Sequence, residues 1–175
     1  MLKESVSSKK IVSLGLALLL TASFIFGLSQ TTSARGVLNN SATTSYVEVK
    51  VHTANINNAG TDDPTYISFG GREFRLDNAE DNCERNDHDI FIYGGEWANV
   101  SNPNGNNPQT LTKGNVLQYP IFIRKGADGT NGGWAIKSVK VTFYYNDDTS
   151  KVYSRVLSPS VWLEDERGLT LYIKG

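Results

Sequence analysis

From Ser45 to Thr53 hydrophobic and polar positions alternate: Val47, Val49 and Val51 fall on one face, Glu48, Lys50 and His52 on the other. A period of two predicts a half-buried strand. Asn55 to Pro64 is crowded with Asn, Gly, Asp and Pro, residues that make turns rather than ladders, and Tyr66, Ile67 and Phe69 then resume strand character. Arg72 to Leu76 follows Gly70-Gly71, a hairpin signal, and predicts a short strand. Asp77 to Asp89 is dense in charge, and Ile90 to Tyr93 reads as another short strand. Gly94 to Gly114, rich in Asn, Gly and Pro, predicts a long surface loop. Val116 to Arg124 is apolar and predicts a strand whose Pro120 demands an edge position or a bulge. Trp134 to Tyr145 alternates in two registers with a slip near Ser138. Val152 to Leu157 and Leu169 to Ile173 close the series. Outside the N-terminal run no helical period persists over three turns. Short strands separated by turn-rich loops predict an all-β fold, an antiparallel β-sandwich of about eight strands.

The N-terminal pattern is different. Lys3, Lys9 and Lys10 precede an uncharged run of 18 residues, Ile11 to Leu28, followed by Thr32-Ser33-Ala34. A basic start, an apolar run and small residues before a cut predict a secretory signal peptide over 1–34, and hence a secreted protein. A retained anchor is the rival, because the run is close to spanning length. Residues 35–44 are small and polar and read as a disordered lead-in to a β-sandwich over 45–175. A cut after Ala34 removes three lysines and one glutamate, so 17 basic and 18 acidic residues become 14 and 17, a net charge of −3. A mildly acidic export product has no electrostatic reason to seek nucleic acid. Cys83 is the single cysteine, so the domain is expected to stand on its core without an internal disulfide, as a monomer.

Several pieces resemble the PLAT (polycystin, lipoxygenase, alpha-toxin) domain family. They are Tyr46-Val-Glu-Val-Lys-Val-His-Thr, Ala59-Gly-Thr-Asp-Asp-Pro-Thr-Tyr-Ile-Ser-Phe and Glu84-Arg-Asn-Asp-His-Asp-Ile-Phe, then Ile121-Phe-Ile-Arg-Lys, Gly133-Trp-Ala-Ile-Lys-Ser-Val-Lys-Val-Thr and Trp162-Leu. The resemblance implies an eight-stranded antiparallel sandwich, with Trp134 and Trp162 in its core. It also implies a non-catalytic module that docks on membrane lipid or a membrane-associated protein, often with calcium. Relatives commonly carry His-Asp-Asn and a Gly after the strand matching Ile121-Phe-Ile. Here Arg124-Lys125-Gly126-Ala127-Asp128 stands there, so an acidic ligand is displaced or missing.

Calcium takes six to eight oxygens from carboxylates, carbonyls and water on flexible loops. Gly60, Thr61, Asp62 and Asp63 offer carboxylates and exposed carbonyls, with Asp87 and Asp89 before a strand and Asp128 on a third loop. The alternative is that these are ordinary solvated loop acids. His52 and His88 are the only histidines, and no cysteine pair accompanies them, which argues against a zinc centre. Glu84, Asp87, His88 and Asp89 offer an acid–base cluster for a small hydrolase, but no Gly-x-Ser-x-Gly elbow occurs. Trp97, in the polar stretch Gly94-Gly-Glu-Trp-Ala-Asn, is a candidate contact for a lipid interface, a partner protein or a sugar, unless it folds back over a sheet edge. Binding of a carbohydrate or a cell-surface protein is the runner-up function.

Overall fold

The alternating strands close into two packed sheets. The computed structural model describes residues 40–127, 132–165 and 167–174. The predicted signal peptide (1–34) and the first part of the expected lead-in lie outside the described residues. One sheet has the order β4-β1-β6-β7, from β1 (Thr44–Thr53), β4 (His88–Tyr93), β6 (Trp134–Tyr145) and β7 (Ser150–Leu163). The other has the order β3-β2-β5-β8, from β2 (Thr65–Phe69), β3 (Arg72–Arg75), β5 (Ile121–Lys125) and β8 (Thr170–Lys174). Every pairing is antiparallel, so the all-β antiparallel sandwich holds.

The core is what the alternation requires. Val47, Val49 and Val51 of β1, Phe91 and Tyr93 of β4, and Val139, Val141 and Phe143 of β6 face Ile67, Phe69, Phe74, Ile121 and Ile123 of the opposite sheet, all buried. At its centre Phe69 stacks on Phe74 with centroids 4.3 Å apart and meets Phe143 edge-on at 5.2 Å, arrangements that aromatic quadrupoles favour. Trp134 is fully buried and donates its indole N–H to Thr53 Oγ1 at 2.9 Å. The slip near Ser138 is a bulge between Ile136 and Ser138. The β2–β3 hairpin turns on Gly70 and Gly71, at φ 58° and 76°, the left-handed pair that a tight two-residue turn needs.

Four expectations need correction. Val116 to Gln118 is not strand: a short helix, α1 (Lys113–Gln118), precedes β5. Thr112 caps it, accepting from Asn115 N, while the Asn115 side chain reaches back to the cap. Pro120 then forces extended backbone at Tyr119, which ends the helix. Second, the end of the lead-in is ordered: Ala42 is buried, Thr43 bridges Thr112, and Thr44 donates its N–H to Leu111 O at 2.8 Å. Third, β7 runs well beyond Leu157 as an edge strand. Fourth, Trp162 is half-buried and covers a small satellite of Ala54, Ala59 and Ala135 rather than joining the main core.

Candidate functional site

Register fixes which loops meet. Thr53 at the end of β1 lies beside Ile136 near the start of β6, and His52 faces His88 at the start of β4. In the other sheet Thr65 faces Lys125 and Tyr66 faces Arg75. The segments 54–64 and 76–87, with residues 126–127 and 132–133, therefore gather at one end of the sandwich. The segments 94–120 and 146–149 gather at the other.

At the first end two loops are sewn together by backbone. Thr61 N donates to Cys83 O at 3.2 Å, Asn86 N to Ala54 O at 3.3 Å, and Thr53 N to Asp87 O at 3.0 Å. Gly60 makes the approach close: a Cβ there would meet Arg85 N and Cys83 O at 3.1 Å. Cys83 and Asn86 sit at positive φ, 65° and 68°, a conformation uncommon outside glycine. This tight fold brings Asp62 of the first loop to Asp81 and Glu84 of the second, with one carboxylate oxygen of each within 4.8 Å of the others. Asp62 and Asp81 are exposed and Glu84 is half-buried. Burial, then the charges of Asp81, Asp62 and Asp87, push the Glu84 carboxyl above its ordinary pKa, because crowded carboxylates resist ionising together.

The remaining predicted ligands divide. Gly60 and Thr61 shape the loop, and the Thr61 hydroxyl accepts from Asp63 N at 3.2 Å. Asp63 is not an available ligand: its side chain is 2% exposed and forms an ion pair with Lys125, itself 4% exposed. A buried carboxylate must have such a partner, and removing one member of such a pair costs about 3–5 kcal/mol. Asp89 also points inward. It is buried and accepts from Cys83 N at 3.0 Å, and desolvation raises its carboxyl to about 6 despite that hydrogen bond. Asp87 contributes backbone contacts and local charge but is outside the three-carboxylate cluster. Asp128 lies outside the described residues.

Asp81 and Glu84 were not expected as ligands. The signal was the density of acids between Asp77 and Asp89, but nothing in the sequence shows that Asp62 folds onto them. The proposed acid–base cluster does not converge, because His88 and Asp89 point to opposite faces of β4, exposed and buried. Cys83 is buried, and burial pushes its thiol to about 12, which makes it an unreactive thiol.

Calcium is the cation that the resemblance read from the sequence implies, and the spacing of the cluster is compatible with it. Ligand oxygens lie about 2.3–2.6 Å from calcium, so two of them on one ion stand up to about 5 Å apart. The spacing within 4.8 Å and the all-oxygen donor set meet that condition.

Trp97 is 78% exposed and follows β4, so it lies at the other end of the sandwich. Beside it a cleft is lined by Gly94, Glu96, Pro103, Asn104, Asn107 and Gln109.

No family model matches the chain, and no curated protein matches it. Among solved structures it is similar to an alpha-toxin from Clostridium absonum at 22% identity and a TM-score of 0.50, over 76% of this chain and 32% of the toxin. It is also similar to the alpha-toxin of an avian strain of Clostridium perfringens (18% identity, TM-score 0.48, 77% of this chain and 32% of that one). A lipoxygenase (LOX) variant matches at 15% identity and a TM-score of 0.45, over 74% of this chain and 16% of that one. The chain thus spans about a third or less of the length of these proteins. The first of them carries the fold comparison: the sandwich is PLAT-like.

Proposed function

We propose that this chain is an exported, non-catalytic module that docks through the acidic end of its sandwich on a lipid surface or a membrane-associated protein. Calcium would be held by Asp62, Asp81 and Glu84. The observation that carries this reading is the convergence of three carboxylates from two backbone-linked loops on a PLAT-like fold. When bound, calcium supplies positive charge that offsets the cluster. Without that charge, the exposed carboxylates repel anionic headgroups and one another. The backbone around Gly60 holds the two loops close, so the carboxylates need little rearrangement to share one ion.

Vesicle sedimentation tests the reading. The exported chain, residues 35–175, is mixed with anionic phospholipid vesicles in calcium or in chelator. Calcium should bring the protein into the pellet, and Asp62→Asn, Asp81→Asn, Glu84→Gln together should leave it in the supernatant. Equal pelleting of both proteins in calcium would remove the cluster from the function.

A second reading is favoured by one specific observation: Trp97 stands exposed beside a cleft lined by Asn104, Asn107 and Gln109. An aromatic face next to amides suits a carbohydrate or a cell-surface protein. Polysaccharide pull-down lost on Trp97→Ala would support it.

A further inference from the structure

We propose that His52 and His88 form a binding site for a transition-metal ion of the zinc, copper or nickel class, on the outer face of the β4-β1-β6-β7 sheet. These are the only two histidines in the chain, and the 35 residues between them hid in the sequence, where their number spoke against zinc, the pairing that the fold makes. The β1–β4 register sets them directly opposite one another. Their rings stack with centroids 3.8 Å apart and planes inclined by 21°.

The geometry suits one shared ion. A tetrahedral metal with bonds of about 2.0–2.1 Å to imidazole nitrogen holds two such nitrogens roughly 3.3–3.4 Å apart. Stacked rings hold their lone pairs in nearly parallel planes, so both side chains must turn about their χ angles to aim a nitrogen of each at one ion. The directly opposed backbone positions put the two side chains within reach of it, and the cleft over them leaves room for the turn. A lone pair is also waiting. His52 Nε2 is buried and has no hydrogen-bond partner among the described residues, a condition that costs free energy in a folded protein. Burial, then the neighbouring His88, lower the pKa of His52, while a hydrogen bond to Asn86 works the other way. The ring is therefore held toward the neutral form that ligates metals. Room exists as well: a cleft of about 400 Å³ opens over the pair, with Ser138 across from His52 on β6. Water completes the coordination there.

Charge opposes a cation here, and its weight decides the matter. Lys50 and Lys140 face one another on the same surface, and the charge of Lys137 reaches His52. Lys50 is paired with Glu48 at 3.2 Å, and both lysines are exposed, so solvent and salt screen them. Coordination to imidazole nitrogen is a short-range bond that screening does not weaken. It favours zinc, copper and nickel over calcium and magnesium, which prefer oxygen. The site is thus chemically separate from the all-oxygen cluster of Asp62, Asp81 and Glu84.

The experiment titrates the full chain with zinc or nickel chloride, following the thermal midpoint and the imidazole C–H resonances by NMR. Zinc should raise the midpoint by mass action on the folded state and shift both histidine resonances, whereas magnesium should do neither. The variants His88→Gln and His52→Gln/His88→Gln should lose the zinc response, each first shown by circular dichroism to keep the wild-type fold. The variant Asp62→Asn/Asp81→Asn/Glu84→Gln should retain it. A wild-type chain with no zinc response would overturn the proposal. So would a zinc shift that survives in the double histidine variant, or zinc binding that leaves the histidine resonances unmoved.

Discussion

Asp89 shows how one buried side chain ties loop geometry to pH. It leaves water to cap the Cys83 turn, and desolvation lifts its carboxyl from an ordinary 3.8 to about 6. In the unfolded chain it ionises near its ordinary value, so between about pH 4 and 6 the folded state binds more protons than the unfolded one. The Asp89 contribution to stability is therefore greatest at low pH and falls as pH rises through that window. Asn at this position keeps an acceptor for Cys83 N without the buried charge. Urea melts in chelator should show Asp89→Asn gaining stability relative to wild type as pH rises from 4 to 7, on the order of 2 kcal/mol at neutral pH. A difference that stays constant across the range would mean that Asp89 is not the titrating group. The same scale shows why the ligand set was only partly legible. Asp62 and Asp63 are adjacent and chemically alike, and nothing local says which turns inward. The deciding group is Lys125, on β5, whose backbone faces Thr65 across the β2–β5 pair. Asp81 and Glu84 were hidden for the same reason, since their meeting with Asp62 depends on backbone bonds between distant loops.

Strands were legible and the helix was not. The Val47, Val49, Val51 alternation and the slip near Ser138 survive in β1 and in the β6 bulge because one face of each strand is buried, and a one-residue shift would expose it. Helix α1 has six residues, too short to display a 3.6-residue period, and only Val116 among them is buried. Its mark in the sequence is the pair Thr112 and Asn115, an N-cap with a reciprocal side chain three residues on. Isolated helices this short do not hold themselves in water, so the cap and the packing of Val116 must carry it. Thr112 also bridges Thr43, which couples the cap to the entry of β1. Thr112→Ala should cost about 0.5–2 kcal/mol, the range for losing an N-cap hydroxyl, measured by chemical denaturation. Loss of less than the measurement error would show that packing alone positions the helix.

The whole molecule sets its two candidate contact regions at opposite ends. The loop that brings Asp62 to Asp81 and Glu84 follows β1, while Trp97 follows β4, which runs antiparallel to β1. Ten residues of strand lie between these ends, and at about 3.3 Å per residue that is roughly 30 Å. One flat membrane that contacts the acidic end therefore leaves Trp97 in water. This separation makes the docking direction measurable. The chain has three tryptophans; Trp134 is fully buried and Trp162 half-buried, so the difference between wild type and Trp97→Phe isolates the exposed indole. Vesicles carrying a nitroxide on the lipid headgroup quench only nearby fluorophores. If calcium docks the acidic end, the protein should pellet with such vesicles while the Trp97 component of its emission stays unquenched. Trp97→Phe should then pellet as wild type does. Quenching of that component in calcium, together with loss of pelleting in Trp97→Phe, would reverse the molecule on the membrane and move lipid contact to the Gly94–Gln109 end.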